Sequence, residues 1–196
     1  MDEIRIGFSR PRSFSIFSRI IRAVEKTSYS HVYLAWHSSF LDRDVVYQAK
    51  STMVHFLGTK LFERGSETVH QFAIKVTPEG RRETIQWAMD NAGLRYGFFQ
   101  VIGVGIVRIA ALFGYNITNP INGEAQFCSK LAGVAIKQLG FTLALDKRLT
   151  DTEFVTLALQ EILEEEEIDL SVAGPKMIYD ALVKLAKSHP NVTQLS

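Results

Sequence analysis

Cys128 is the one cysteine in 196 residues. It follows a polar loop holding Gly123, Glu124 and Gln126, and it opens an apolar-periodic run through Leu131, Val134, Ala135 and Leu139. At a helix start a thiol lies among unpaired backbone N–H groups and the positive end of the dipole. Both favour the thiolate, the form that attacks carbonyls. A small buried hydrophobe would also suit the position, so placement alone leaves both uses open. A nucleophilic thiolate needs an imidazole as ion-pair partner and proton carrier. Of the five histidines, His31 opens a strand-like run directly after the polar turn Thr27-Ser28-Tyr29-Ser30. His37 shares its face by the period of two, at the other end. His55 and His70 read as ordinary strand histidines, and His189 as a tail residue.

A third group must orient the imidazole. The runs His31–His37 and Asp44–Lys50 form a hairpin if the segment 38–43 turns, and residue 31 then faces 50 while 33 faces 48. Gln48 is then one diagonal step from His31 with the parity to share its face, and its side-chain oxygen can accept the imidazole N–H.

The surrounding elements follow from periodicity. Ile4–Phe8 reads as a first strand, and Thr68–Val76 and Thr52–Leu57 as further strands. The connections 38–43 and 58–65 are short enough for antiparallel neighbours. Ser13–Lys26 spaces Phe14, Ile16, Phe17, Ile20, Ile21 and Val24 as one apolar helix face, with Arg19, Arg22 and Lys26 on a solvated face. A helix opens at Thr77-Pro78 and runs to about Asn91, and another fills Phe98–Phe113. Tyr115–Phe127 is a loop, Cys128–Leu139 a helix stopping at Gly140, and Thr152–Glu167 and Pro175–Ser188 are tail helices. Strands first and helices after them predict an α+β single domain, with its core over about 4–140 and a helical extension over about 150–188.

Composition narrows the function classes. Lys+Arg 22 against Asp+Glu 21 leaves a net charge of +1, so no general attraction to nucleic acid or an anionic membrane is expected, and any such binding has to be local. One cysteine excludes a disulfide framework and a cysteine-rich zinc site. The histidines lack zinc-ligand spacing, and Glu164–Glu167 lacks the spaced ligands of a calcium loop, so no cofactor or metal is expected. The first ten residues lack a signal-peptide pattern, which predicts a cytoplasmic location. Phe98–Tyr115 is apolar but carries Gln100 and Arg108. It reads as a buried or interface helix, with peripheral membrane or protein contact as its second use. Oligomeric state is left open.

Three short segments, Ser28-Tyr29-Ser30-His31-Val32-Tyr33-Leu34, Val45-Val46-Tyr47-Gln48-Ala49 and Phe127-Cys128-Ser129-Lys130-Leu131, taken in that order, resemble the circularly permuted papain-like group of the NlpC/P60 superfamily. The YiiX/YebB-like hydrolases are the branch resembled, with lecithin:retinol acyltransferase-like proteins more distant. The resemblance implies a papain-like small antiparallel sheet packed against helices. It also implies a site of Cys128, His31 and Gln48, with a peptide-like or acyl-lipid substrate. The chain departs from that pattern twice. Gln48-Ala49 stands where the group often has Glu-Ala, and Cys128-Ser129-Lys130 where it has Cys-Ser-Glu. The acyltransferase-like relatives use a second histidine as third member, which makes His37 or His55 alternatives to Gln48.

Chemically, Cys128 would attack an amide, ester or thioester carbonyl while His31 accepts and returns the proton. The backbone N–H of Cys128 would help hold the oxyanion. Tyr29 and Gln126 are candidates for a second donor, and Tyr96 is a weaker one. The expected activity is a thiol hydrolase (amidase or peptidase) or acyltransferase. The alternative is a catalytically inactive papain-like module serving as a structural or partner-binding protein.

Overall fold

A computed structural model describes residues 2–50, 53–95, 110, 114–115 and 174–195. Cys128, Tyr96 and Gln126 lie outside them, as do most of Phe98–Tyr115, the 116–127 loop and the helices expected at 128–139 and 152–167. In chain order the elements are β1 (Asp2–Pro11), α1 (Ile16–Glu25), β2 (His31–Ser38), β3 (Arg43–Lys50), β4 (Met53–Gly58), α2 (Thr59–Gly65), β5 (Ser66–Val76), α3 (Pro78–Asp90), α4 (Pro175–Ser188) and β6 (Val192–Leu195). The strands form one antiparallel sheet in the order β4-β3-β2-β1-β5-β6. Sheet and helices make an α+β architecture consistent with a small papain-like fold.

Strict alternation gives the sheet two different faces. One face gathers Ile4, Ile6, Phe8, Val32, Leu34, Tyr47, Phe72 and Ile74 into the main core. Ala88 of α3 and Ile178, Leu182 and Leu185 of α4 belong to the same buried cluster. Tail residues thus help build the core, and β6 adds an edge strand to β5 that its four residues gave no pattern to reveal. The second face holds a smaller cluster of Tyr33, Ala35, Val46 and Phe62. Gly7 is required here, because a β-carbon at that position would fall inside the Tyr33 ring. The ring crosses β1 and its hydroxyl reaches Thr68 Oγ1 of β5, at 2.8 Å.

Two expectations are corrected. The 58–65 connection does not join antiparallel neighbours, since β3, β2 and β1 lie between β4 and β5. The segment is the helix α2, which buries Phe62 against Tyr33 (ring centroids 4.5 Å apart) and so crosses the second face. The second correction concerns α1, capped by Ser15, whose side chain accepts from Ser18 N. Its apolar stripe is split: Phe17, Ile21 and Val24 are half-buried, whereas Ile16 and Ile20 are 65% and 48% exposed, and Phe14 just before it is 73% exposed. Ser18 is the buried residue of the helix, and its hydroxyl lies 2.6 Å from that of Ser30.

Candidate active site

The polar turn before β2 delivers His31. Thr27 Oγ1 donates to Tyr29 O at 2.7 Å, and Ser30 N donates to Ser9 O at 3.0 Å, so the chain enters the sheet beside β1 with His31 as the first strand residue. The β2–β3 hairpin pairs Leu34 with Tyr47, Ala35 with Val46 and His37 with Asp44, the register expected from a turn at 38–43. Gln48 and His31 are therefore diagonal neighbours on the second face, and Gln48 Oε1 lies 2.7 Å from His31 Nε2. On the other side Gln48 Nε2 lies 3.2 Å from Nε2 of His55, its direct partner on β4. Gln48 is only 2% exposed, so these two rings take the place of water around its amide.

The far end of this row assigns the protons. His55 Nδ1 is 3.1 Å from Met53 O, an oxygen that can only accept, so Nδ1 carries the hydrogen. With its hydrogen on Nδ1, His55 offers Nε2 as an acceptor to the Gln48 NH2. The amide oxygen consequently faces His31, whose Nε2 must donate. The lone pair of His31 is left on Nδ1, which is the ring's basic atom.

The electrostatics of His31 are set first by burial, which disfavours its charged form, and next by the Lys50 ammonium; the Gln48 bond opposes both, and the pKa is pushed down to about 4. His31 is thus a neutral imidazole at pH 7. Burial also lowers the pKa of Lys50, whose Nζ donates to Ser66 Oγ at 3.0 Å.

The other candidates sit elsewhere. His37 lies at the opposite end of β2, with its Nδ1 3.2 Å from Asp44 Oδ1, and Arg5 closes on the same carboxylate at 2.8 Å. Burial would raise the Asp44 pKa, but the bonds and charges of Arg5 and His37 bring it below the usual range. His37 and Arg5 border an open cleft of about 320 Å³ with Asp2, Glu3, Ser39 and Arg81. Tyr29 is packed in the main core, its ring 5.0 Å from Phe8 and 5.4 Å from Tyr179, rather than beside His31. His70 stacks against Tyr29 and Tyr179. Among the described residues no group of three His, Cys, Asp or Glu side chains is placed to hold a metal ion. None of the described helices is long and apolar enough to cross a membrane.

What sequence reasoning missed is the double engagement of Gln48. The signal lay in the strand bounds: β3 ending at Lys50 and β4 opening at Met53, one residue later than the Thr52 expected, pair 48 with 55.

The fold is that of an α+β protein with an antiparallel sheet bearing a polar row on one face. Among solved structures, the chain is similar to the metalloprotein yiiX from Escherichia coli O157:H7, with a TM-score of 0.52 and 16% identity over 100% of this chain and 95% of that one. At that identity the likeness concerns the fold. No family model and no curated protein matches the sequence.

Proposed function

We propose that the chain is a cysteine-dependent hydrolase or acyltransferase acting on an amide, ester or thioester bond. Cys128 is the nucleophile in this reading, His31 Nδ1 the proton acceptor and Gln48 the group that orients the imidazole. The observation that carries it is the His31–Gln48 hydrogen bond of 2.7 Å, which leaves a neutral ring with its lone pair on a known atom. Support also comes from the fold shared with yiiX and from the position of Cys128 ahead of an apolar-periodic segment.

His31 Nδ1 takes the thiol proton, and the thiolate adds to the acyl carbon. The tetrahedral oxyanion collapses and expels an amine, alcohol or thiol, which leaves with the proton from His31. Water, or a second acceptor, then attacks the acyl-enzyme while returning its proton to Nδ1, and the Cys128 thiol is released. Glutamine holds the ring without charge, so it stabilises the imidazolium less than a carboxylate would. An adjacent thiolate supplies that missing anion and raises the His31 pKa.

The test is turnover of p-nitrophenyl esters by the intact chain. The expected result is release of nitrophenolate that Cys128→Ser abolishes and His31→Ala suppresses. Turnover that survives Cys128→Ser overturns the proposal, and absence of any turnover favours the partner-binding module.

A further inference from the structure

The outward stripe of α1 plays no part in the row of polar residues on the sheet. α1 buries Ser18 and half-buries Phe17, Ile21 and Val24, yet it turns a second apolar row, Ile16, Ile20 and Ala23, to solvent, one above the other at i, i+4 and i+7. Phe14 continues the stripe beyond the N-cap and carries the Arg19 guanidinium over its ring, 5.5 Å from the centroid. Residues 10–26 hold five cations (Arg10, Arg12, Arg19, Arg22, Lys26) against Glu25, a local +4 that leaves the rest of the chain at −3. Arg10 pairs with Glu67. Among the described residues none of the other four faces a carboxylate within ion-pair distance.

We propose that α1 docks the protein on an anionic lipid bilayer. Phe14, Ile16 and Ile20 enter the boundary between headgroups and acyl chains, while Arg12, Arg19, Arg22 and Lys26 meet the lipid phosphates. The charge pattern favours this occupant over a protein groove: an apolar stripe with unneutralised cations is complementary to a surface that is apolar within and negative at its edge. Long arginine stems can lie along the apolar layer and keep their heads at phosphate depth. Ser18, on the inward side, ties this helix to Ser30, the residue before His31, so docking sets α1 between the lipid and the start of β2. The proposal does not depend on the role assigned to Cys128.

The experiment is flotation of the intact chain with phosphatidylcholine vesicles, with and without phosphatidylserine. Wild type should float with the anionic vesicles and lose binding as salt rises. Ile16→Glu and Ile20→Glu should each lower the partition coefficient about tenfold or more, as for loss of one buried apolar side chain. Arg19→Gln/Arg22→Gln should weaken binding to the anionic vesicles alone. Ile16, Ile20 and Arg19 are exposed, so circular dichroism and thermal unfolding of their variants should match wild type; Phe14→Ser, outside the helix, is the second variant if a glutamate perturbs folding, and Arg19→Gln alone is the control for the half-buried Arg22. Wild type that stays unbound, or Ile16→Glu that floats as well as wild type, overturns the proposal. So does a concentration-dependent dimer that Ile16→Glu dissolves without vesicle binding, which would assign the stripe to a second copy.

Discussion

Gln48 holds His31 by its oxygen and His55 by its nitrogen, at 2.7 and 3.2 Å, so one buried amide links two imidazoles on adjacent strands. A carboxylate in place of that amide keeps an acceptor toward His31, adds a negative charge and removes the N–H donated to His55. Gln48→Glu should raise the His31 pKa above its value of about 4, because a neighbouring anion favours the imidazolium. Titration of the His31 ring protons by NMR measures this directly, and an unmoved midpoint would refute the electrostatic account.

The same pKa sets a pH dependence of stability. The His31 pKa falls from 6.5 to about 4 on folding, so between those values the unfolded chain binds more protons. Stability from this group is complete above about pH 6.5 and is lost as pH falls toward about 4, by at most about 3 kcal/mol. Urea unfolding across that window should show the slope in wild type and a flatter curve in His31→Gln.

His55 is predicted to act through Gln48. Truncating it to leucine leaves a buried amide N–H without its acceptor, which costs about 1–3 kcal/mol. Gln48→Met removes that amide but also strips His31 Nε2 of its acceptor, so the double variant should lose less than the sum of the two single losses. A double-mutant cycle in urea reads the coupling, and strictly additive losses would contradict it.

Gly7→Ala should destabilise by about 2–3 kcal/mol, because the new methyl must displace the Tyr33 ring packed on β1. The displacement also strains the Tyr33–Thr68 bond across the sheet. In a Tyr33→Ala background the same substitution should cost far less, and a thermal unfolding series distinguishes the two.

Much of this face was legible from residue order. The six-residue turn at 38–43 and the period of two sufficed to place Gln48 beside His31, because hairpin register is a local property. The strand order was not, since the position of β5 beside β1 depends on contacts distant in sequence, and four residues of β6 carry too little pattern to announce a strand. Periodicity likewise told that α1 has an apolar side, but not which side turns inward. Ser18, bonded to Ser30, turns inward with Phe17, Ile21 and Val24 half-buried beside it, while Ile16 and Ile20 turn outward. Tyr29 misled for a related reason: its neighbours in sequence are polar, whereas its neighbours in space are Phe8 and Tyr179. The nucleophile assigned to Cys128 rests on sequence order alone.

The central claim is that Cys128 and His31 act as a pair, and a single thiol makes that measurable without ambiguity. The rate of Cys128 alkylation by iodoacetamide should be followed across pH in wild type and in His31→Ala. The account predicts a reactive thiol well below the ordinary midpoint of about 8.5, and a shift back to it in the variant. An ordinary midpoint in wild type, unchanged in His31→Ala, would contradict it.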